Sequence, residues 1–271
     1  MIVVFAAMAP VPVDAEPVQA RFVEAEIVSS VKTVTPGTSF WVALRLAMDP
    51  EFHTYWENPG DTGLPTTLEW NLPKGFKPGR REWPYPHRFE SSSYVSYGYT
   101  DEVLILQEIV ASADLTPGSS AYLEARADWT VCKKDLCLPG GADLGLEIDT
   151  TDGEAAADGY WSKRFDETRR HVPLSGDQLG VKARADGESI VVSVSGSGGH
   201  DPGPVQLFAR TRGAVEYGAS PTVSRDGEKL EIGVPLRKKN KRDEVELVLV
   251  AANGWKAGGT PEAIEISVAI P

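Results

Sequence analysis

Two cysteines, Cys132 and Cys137, are the only ones in this chain of 271 residues, and four residues separate them. Two thiols at this spacing can form a disulfide, exchange it with another thiol, or bind the soft ion Cu(I). A disulfide that closes so short a loop contributes only about 2 kcal/mol to stability, against nearly 5 kcal/mol for a loop of a hundred residues. The pair is therefore suited to opening and closing as a redox switch, although a local hairpin staple is an equal alternative from spacing alone.

Other reactive residues form no recognisable constellation. The four histidines lie far apart and have no metal-ligand spacing with one another or with the cysteines. No Gly-x-Ser-x-Gly sequence, phosphate-binding loop or HExxH motif occurs, so hydrolase and nucleotide chemistry have no support. We therefore expect no resident metal and no cofactor, with Cu(I) binding by the two thiolates kept as an alternative.

The overall charge narrows the class of partner. The net charge is -12, which argues against nucleic acid and against anionic membrane surfaces as partners. Apolar and charged residues make up 41% and 24% of the chain, values typical of globular proteins. No apolar run reaches the roughly 18 residues that a spanning helix requires, so we expect no direct membrane span in the mature chain.

The first 15 residues are similar to a secretory signal peptide. An apolar stretch ends in Val13-Asp14-Ala15, which fits the small-x-small cleavage pattern. No Lys or Arg precedes Arg21, so the peptide is expected to be truncated at its start. Export to the periplasm would place the cysteines in an oxidising compartment, where a disulfide can form.

The elements that must position the cysteines are predicted to be strands. Residues 122–131 alternate between apolar and polar, and residues 141–148 alternate in the same way. This pattern predicts a β-hairpin with Cys132 and Cys137 at its closed end. Opposed residues in an antiparallel pair come close enough for a disulfide to form with little distortion. Further strands are predicted at 22–28, 39–46, 67–70, 103–110, 189–194, 204–210, 229–234, 244–250 and 263–269.

One helix is predicted within this β-rich chain. Residues 160–171 place Trp161 and Phe165 on one stripe, and Pro173 ends the helix. The helix follows a polar, small-residue stretch that is typical of a linker, and the strands beyond it predict a second β-sandwich.

Four sequence blocks resemble one known family. Residues 53–65, 83–90, 95–99 and 129–139 resemble, in the same order, the periplasmic N-terminal region of DsbD/ScsB-family thiol:disulfide interchange proteins. The resemblance is strong over residues 20–150 and weak beyond them. It implies an immunoglobulin-like N-terminal domain. Together with the strand pattern beyond the helix, this predicts an all-β fold class with two immunoglobulin-like β-sandwich domains in tandem, joined by a short helix-containing linker. The expected boundaries are 1–15 for the signal peptide, 16–150 for the redox domain, 151–176 for the linker and 177–271 for the second sandwich.

The resemblance also implies roles for individual residues. Cys137 would be the attacking cysteine and Cys132 the resolving one, alternating between dithiol and disulfide. Family members shield the pair with an aromatic cap loop, which matches residues 89–97 here. The cap and lining candidates are Phe89, Tyr94, Tyr97, Tyr55 and Trp56, although for each of them core or interstrand packing is the favoured alternative.

The implied activity is a thiol-disulfide oxidoreductase relay. Its partners would be thioredoxin-fold periplasmic proteins and a DsbD-type membrane electron donor. The sequence is expected to contain neither the membrane core nor the thioredoxin domain of full-length members, so the chain is either a stand-alone relay or a piece of a longer protein. A secreted, non-catalytic β-sandwich that binds or scaffolds, with a structural disulfide, is the alternative from a different class.

Overall fold

Strands dominate the protein, as a computed structural model that describes residues 16–270 except 92, 135, 227–228 and 238–242 shows. The predicted all-β class is confirmed, and the predicted signal peptide lies outside the described residues. The strands are β1 (Val18–Ala20), β2 (Val23–Ser29), β3 (Thr33–Val34), β4 (Ser39–Met48), β5 (His53–Gly60), β6 (Thr67–Asn71), β7 (Phe76–Glu82), β8 (His87–Glu90), β9 (Val95–Thr100), β10 (Glu102–Ala111), β11 (Ser120–Lys133), β12 (Leu136–Thr150), β13 (Leu174–Ser175), β14 (Val181–Asp186), β15 (Ser189–Val194), β16 (Val205–Ala209), β17 (Thr222–Asp226), β18 (Lys229–Pro235), β19 (Glu244–Ala251) and β20 (Ala263–Ala269). The helices are α1 (Trp161–Arg169) and one 3-10 turn (Gly176–Leu179).

These strands form four sheets. The first has the order β1-β2-β4-β10-β7, and the second has the order β3-β12-β11-β5-β9-β8 with β6 beside β11. We call these two the N-terminal sheets. The third has the order β13-β20-β19-β16 and the fourth β14-β15-β18-β17, and we call these two the C-terminal sheets.

The β11–β12 hairpin follows the apolar alternation of its sequence. Its register pairs Ala121 with Ile148 at the open end and continues to Cys132 and Cys137 at the closed end. The predicted inward face is buried, at Leu123, Ala125, Ala127, Trp129 and Val131 on β11. Burial of this face fixes the register, because a slip by one residue would turn every one of these side chains to solvent.

Helix α1 packs on the outside of the first sheet. The Asp158 carboxylate caps the helix by accepting hydrogen bonds from the backbone N–H groups of Tyr160 and Trp161, at 2.9 and 2.8 Å. Phe165 is fully buried and packs into a small cluster with residues of β2, β4 and β10. The helix is thus present where the sequence predicted it, and the segment predicted as a linker is docked on the sheet.

The N-terminal and C-terminal sheets share one hydrophobic cluster. Trp56 of β5 and Tyr97 of β9 pack against Phe208 of β16, with ring centroids 6.3 and 5.0 Å apart. The division of the chain into domains at residues 150 and 177 stays a prediction, and the contact between the two pairs of sheets is extensive.

Candidate functional site

Cys132 and Cys137 form a disulfide at the closed end of the β11–β12 hairpin. They are opposed residues in the antiparallel register, and their Cα atoms are 4.1 Å apart. This spacing resembles the roughly 4.5 Å of a non-hydrogen-bonded antiparallel pair, in which side chains lie closest together. The strand register therefore holds the two sulfurs next to each other.

The two cysteines differ in exposure. Cys132 is only 1% exposed, whereas Cys137 is an exposed residue. Exchange requires a thiolate to approach one sulfur of a disulfide, so access decides which sulfur is attacked. In this protein Cys137 is the more accessible of the two cysteines.

An open cavity of about 780 Å³ lies beside the disulfide. Strand β5, strand β8, the end of the hairpin and the loop after β5 contribute its walls. The lining residues are His53, Tyr55, Thr62, Gly63, Leu64, Phe89, Glu90, Ser91, Tyr94, Ser96, Thr130, Cys132, Lys134, Cys137 and Pro139. Aromatic rings thus surround a reactive bond that is accessible from solvent.

Tyr55 contacts the buried sulfur directly. Its hydroxyl donates a hydrogen bond to Cys132 Sγ at 3.1 Å. Burial raises the pKa of Tyr55, which keeps the phenol protonated and able to donate. Gly63 makes this ring position possible, because it has a φ of +89° and a Cβ there would lie 2.4 Å from the Tyr55 ring.

His53 also belongs to the cavity, although sequence analysis gave it no role. Its ring stacks on Phe89 at a centroid distance of 4.6 Å and meets Tyr55 edge-on at 5.4 Å. It pairs with Cys132 in the register between β5 and β11. Burial lowers the pKa of His53, so the imidazole is neutral at neutral pH. A lone histidine has no spacing signal, and only the strand register reveals its position.

Three of the five predicted cap and lining aromatics surround the cavity. Tyr55, Phe89 and Tyr94 line it. Trp56 and Tyr97 lie outside it and are buried, at 0% and 1% exposure.

Strand alternation explains the position of Tyr97. Phe89 pairs with Ser96, and both line the cavity. Tyr97 is the next residue along the strand, so its side chain points to the opposite face. On that face it packs against Phe208 and Tyr217.

The lysines of the hairpin turn have separate environments. Lys133 forms an ion pair with Glu51 and lies over the Phe52 ring at 5.5 Å. Lys134 has a positive φ of 51° and lines the cavity. Asp135 lies outside the described residues. Of the two lysines in the turn, Lys134 is therefore the one whose charge lies beside the other groups that line the cavity.

Two further kinds of site were sought in the described part of the chain. Among these residues, no group of three or more His, Cys, Asp or Glu side chains is clustered in a way that would hold a metal ion. No helix within the same residues has the length and apolar character needed to cross a membrane.

Comparison with known proteins gives a family for the region that carries this site. Residues 19–147 match the family model described as thiol:disulfide interchange protein DsbD, N-terminal. No curated protein matches the sequence.

Solved structures extend the likeness in fold beyond that region. The N-terminal periplasmic domain of ScsB from Proteus mirabilis matches with a TM-score of 0.59 and 15% identity, covering 92% of this chain and 93% of that one. The E. coli chaperone DraB matches with a TM-score of only 0.26 and 11% identity, covering 91% of this chain and 99% of that one, and this score is too low to support an argument.

The family match contains the whole hairpin with its disulfide, and the ScsB match shows that the fold is shared over nearly the full chain. Residues 19–147 belong to the family of DsbD N-terminal domains.

Proposed function

We propose that this protein is a periplasmic thiol-disulfide exchange module that relays reducing equivalents through Cys132 and Cys137. Its partners would be a DsbD-type membrane electron donor on one side and thioredoxin-fold periplasmic proteins on the other. The family match supports thiol-disulfide exchange in general. The observation that carries the proposal is the asymmetry of the pair, with Cys137 accessible and Cys132 buried beneath an open cavity.

The asymmetry gives each sulfur a different task. In the dithiol form, the Cys137 thiolate attacks one sulfur of the partner disulfide, and the other partner sulfur leaves as a thiolate and takes up a proton. Cys132 then attacks Cys137 Sγ, its own proton departs, and the second partner sulfur leaves and is protonated. Two electrons and two protons pass from the dithiol to the partner.

Apolar side chains around Cys137 favour a protein partner. Leu64 is 64% exposed, Tyr94 is 38% exposed and Leu136 is 45% exposed. Leu64 and Tyr94 line the cavity, and Leu136 precedes Cys137 on β12. Large apolar side chains grouped at one exposed site are typical of a docking surface.

The reduction potential of the pair separates a relay from a structural disulfide. We would equilibrate the protein in glutathione or dithiothreitol buffers, alkylate the free thiols and measure the mass. A relay should have a potential above about -300 mV, whereas structural disulfides of secreted proteins lie below this value. A potential below that limit would support the scaffold alternative and contradict the proposed function.

Trapping of the mixed disulfide tests the order of attack. Cys132→Ala leaves Cys137 without a resolving thiol, so it should form a stable mixed disulfide with an oxidised thioredoxin-fold partner. Cys137→Ala is the matched control and should trap little, because the remaining sulfur is buried. Trapping by the control alone would reverse the proposed roles of the two cysteines.

A further inference from the structure

We propose that His53 transfers the proton of Cys132 during exchange, accepting it when the disulfide closes and returning it when the disulfide opens. This inference rests on the proposed exchange function and assigns a task to a residue outside the cysteine pair.

The register places the two sulfurs and the imidazole in one row. Cys137 on β12 pairs with Cys132 on β11, and Cys132 pairs with His53 on β5. Directly paired residues on adjacent antiparallel strands have Cβ atoms about 4.5–5.5 Å apart and point to the same face. His53 and both cysteines also line the same cavity, which agrees with a shared face.

Cys132 is the cysteine that needs a neighbouring base. At 1% exposure it has little access to bulk water, and burial in apolar surroundings disfavours the thiolate that must attack. Tyr55 donates a hydrogen bond to Cys132 Sγ and so stabilises the thiolate. Burial raises the pKa of Tyr55 and lowers the pKa of His53, so the imidazole is the acceptor that is ready at neutral pH.

Other ionisable groups near His53 are less suited to this task. Those that line the cavity are Tyr55, Tyr94, Glu90, Lys134 and the cysteines. Glu90 accepts a hydrogen bond from Arg88 in an ion pair and is itself exposed. Lys134 is an exposed residue of the hairpin turn. The residue opposite His53 on β9 is Thr100, which does not titrate.

The step balances as a proton transfer coupled to disulfide closure. After Cys137 has formed a mixed disulfide, the Cys132 S–H proton passes to the imidazole, and the sulfur's electron pair forms the bond to Cys137 Sγ. The bond between Cys137 and the partner sulfur breaks, and the partner leaves as a thiolate. The imidazolium then gives its proton to that thiolate or to water in the open cavity. Opening of the disulfide is the reverse of these events.

The experiment uses the reduced protein with oxidised glutathione as probe, acid quenching, alkylation and mass analysis. In His53→Phe, which keeps a ring to stack on Phe89, Cys137 should join glutathione at the normal rate. Closure of the disulfide should then slow by about tenfold or more, because general base assistance commonly contributes a factor of 10²–10⁴. The mixed disulfide should therefore accumulate. His87→Phe, at an exposed position on β8, is the matched control and should behave as wild type.

Chemical rescue and pH separate proton transfer from a packing role. Imidazole added to His53→Ala should restore closure, which a purely structural contribution would not allow. In wild type the closure rate should fall as the pH drops below the ordinary histidine pKa of about 6.5, and this requires no variant to fold. The inference would be overturned if His53→Phe closed the disulfide at the wild-type rate and with the wild-type pH profile. It would also be overturned if the closure rate of wild type did not fall at acid pH. Failure of wild type itself to exchange would instead contradict the proposed function.

Discussion

The two halves of strand β5 have opposite environments. The first half carries His53 and Tyr55, which border the open cavity at the disulfide. The second half carries Trp56, Glu57 and Asn58, which contact the C-terminal sheets and the segment that follows β16. One strand thus connects the cavity at the disulfide to a contact between the two pairs of sheets.

The second half of β5 is held by several kinds of contact. Trp56 is fully buried and packs edge-on against Phe208. Asn58 Nδ2 donates hydrogen bonds to the Ala209 carbonyl at 2.6 Å and to Tyr217 Oη at 3.1 Å. The Asn58 amide helps to fix the strand, because each of its buried donors is costly to leave without its partner.

The first half of β5 borders the cavity instead of the C-terminal sheets. Its residues face open space on one side, and the wall opposite them includes Tyr94, which is 38% exposed. We therefore expect the contact with the C-terminal sheets to stabilise β5 more than the contact with the cavity wall does. Three changes test this comparison, beginning with the largest expected effect.

Truncation of one aromatic residue on each side should give very different losses of stability. Trp56→Ala should lower the free energy of unfolding by about 3–5 kcal/mol, because it leaves a large void in the shared hydrophobic cluster. Tyr94→Ala should lower it by less than about 1 kcal/mol, since the ring is partly in solvent. Urea unfolding of the oxidised proteins measures both. Equal losses would show that the cavity wall contributes as much stability as the contact of Trp56 with the C-terminal sheets.

The amide of Asn58 gives a smaller, polar version of the same test. Asn58→Ala removes both donors and leaves the Ala209 carbonyl and Tyr217 hydroxyl without this partner, so we expect a loss of about 1–3 kcal/mol. Asn71→Ala is the matched control, because its amide donates one exposed hydrogen bond, to Glu124. The control should change stability by no more than about 0.5 kcal/mol. A similar loss in both variants would mean that burial of the Asn58 amide adds no stability.

Local sequence patterns predicted the hairpin but not the strand β5 that lies beside it. Alternation over residues 122–131 and 141–148 is a local property, so the register and the cysteine pairing followed from it. Strand β5 lacks such alternation and contains Asn58-Pro59-Gly60, so no strand was predicted there. Its pairing with β9 shifts register between Tyr55 and Gly60, which no local pattern encodes.

The candidate site, like the fold around it, was predicted only in part. The cysteines came from their spacing, and Tyr55, Phe89 and Tyr94 came from the family resemblance. Trp56 was proposed together with Tyr55 because both lie in the block at residues 53–65, yet its side chain packs against Phe208 and so lies away from the cavity. His53 required knowledge that β5 lies next to β11, which is a long-range fact about the sheet.

Titration of the two halves of β5 should change stability with opposite signs. Burial raises the pKa of Glu57, with Arg210 opposing the shift, so the folded state holds this proton more tightly than the unfolded chain. Stability from this group is therefore present at low pH and is lost as the pH rises from about 4.5 through the raised value. Burial lowers the pKa of His53, so its contribution is present above about 6.5 and is lost as the pH falls through the lowered value.

Two variants with neutral side chains should each remove one of these pH-dependent losses of stability. Glu57→Gln should flatten the decline of unfolding free energy on the higher-pH side, and His53→Gln should flatten the decline on the acid side. Urea unfolding of the oxidised protein between pH 4 and pH 8 measures both slopes against wild type, and His87→Gln is the control for a histidine at an exposed position. If both variants change the slope on the same side of the pH range, or neither changes it, then the two halves of β5 do not differ in how burial shifts the pKa of their ionisable groups. Opposite changes would place the electrostatic boundary of the site between Tyr55 and Glu57, within a single strand.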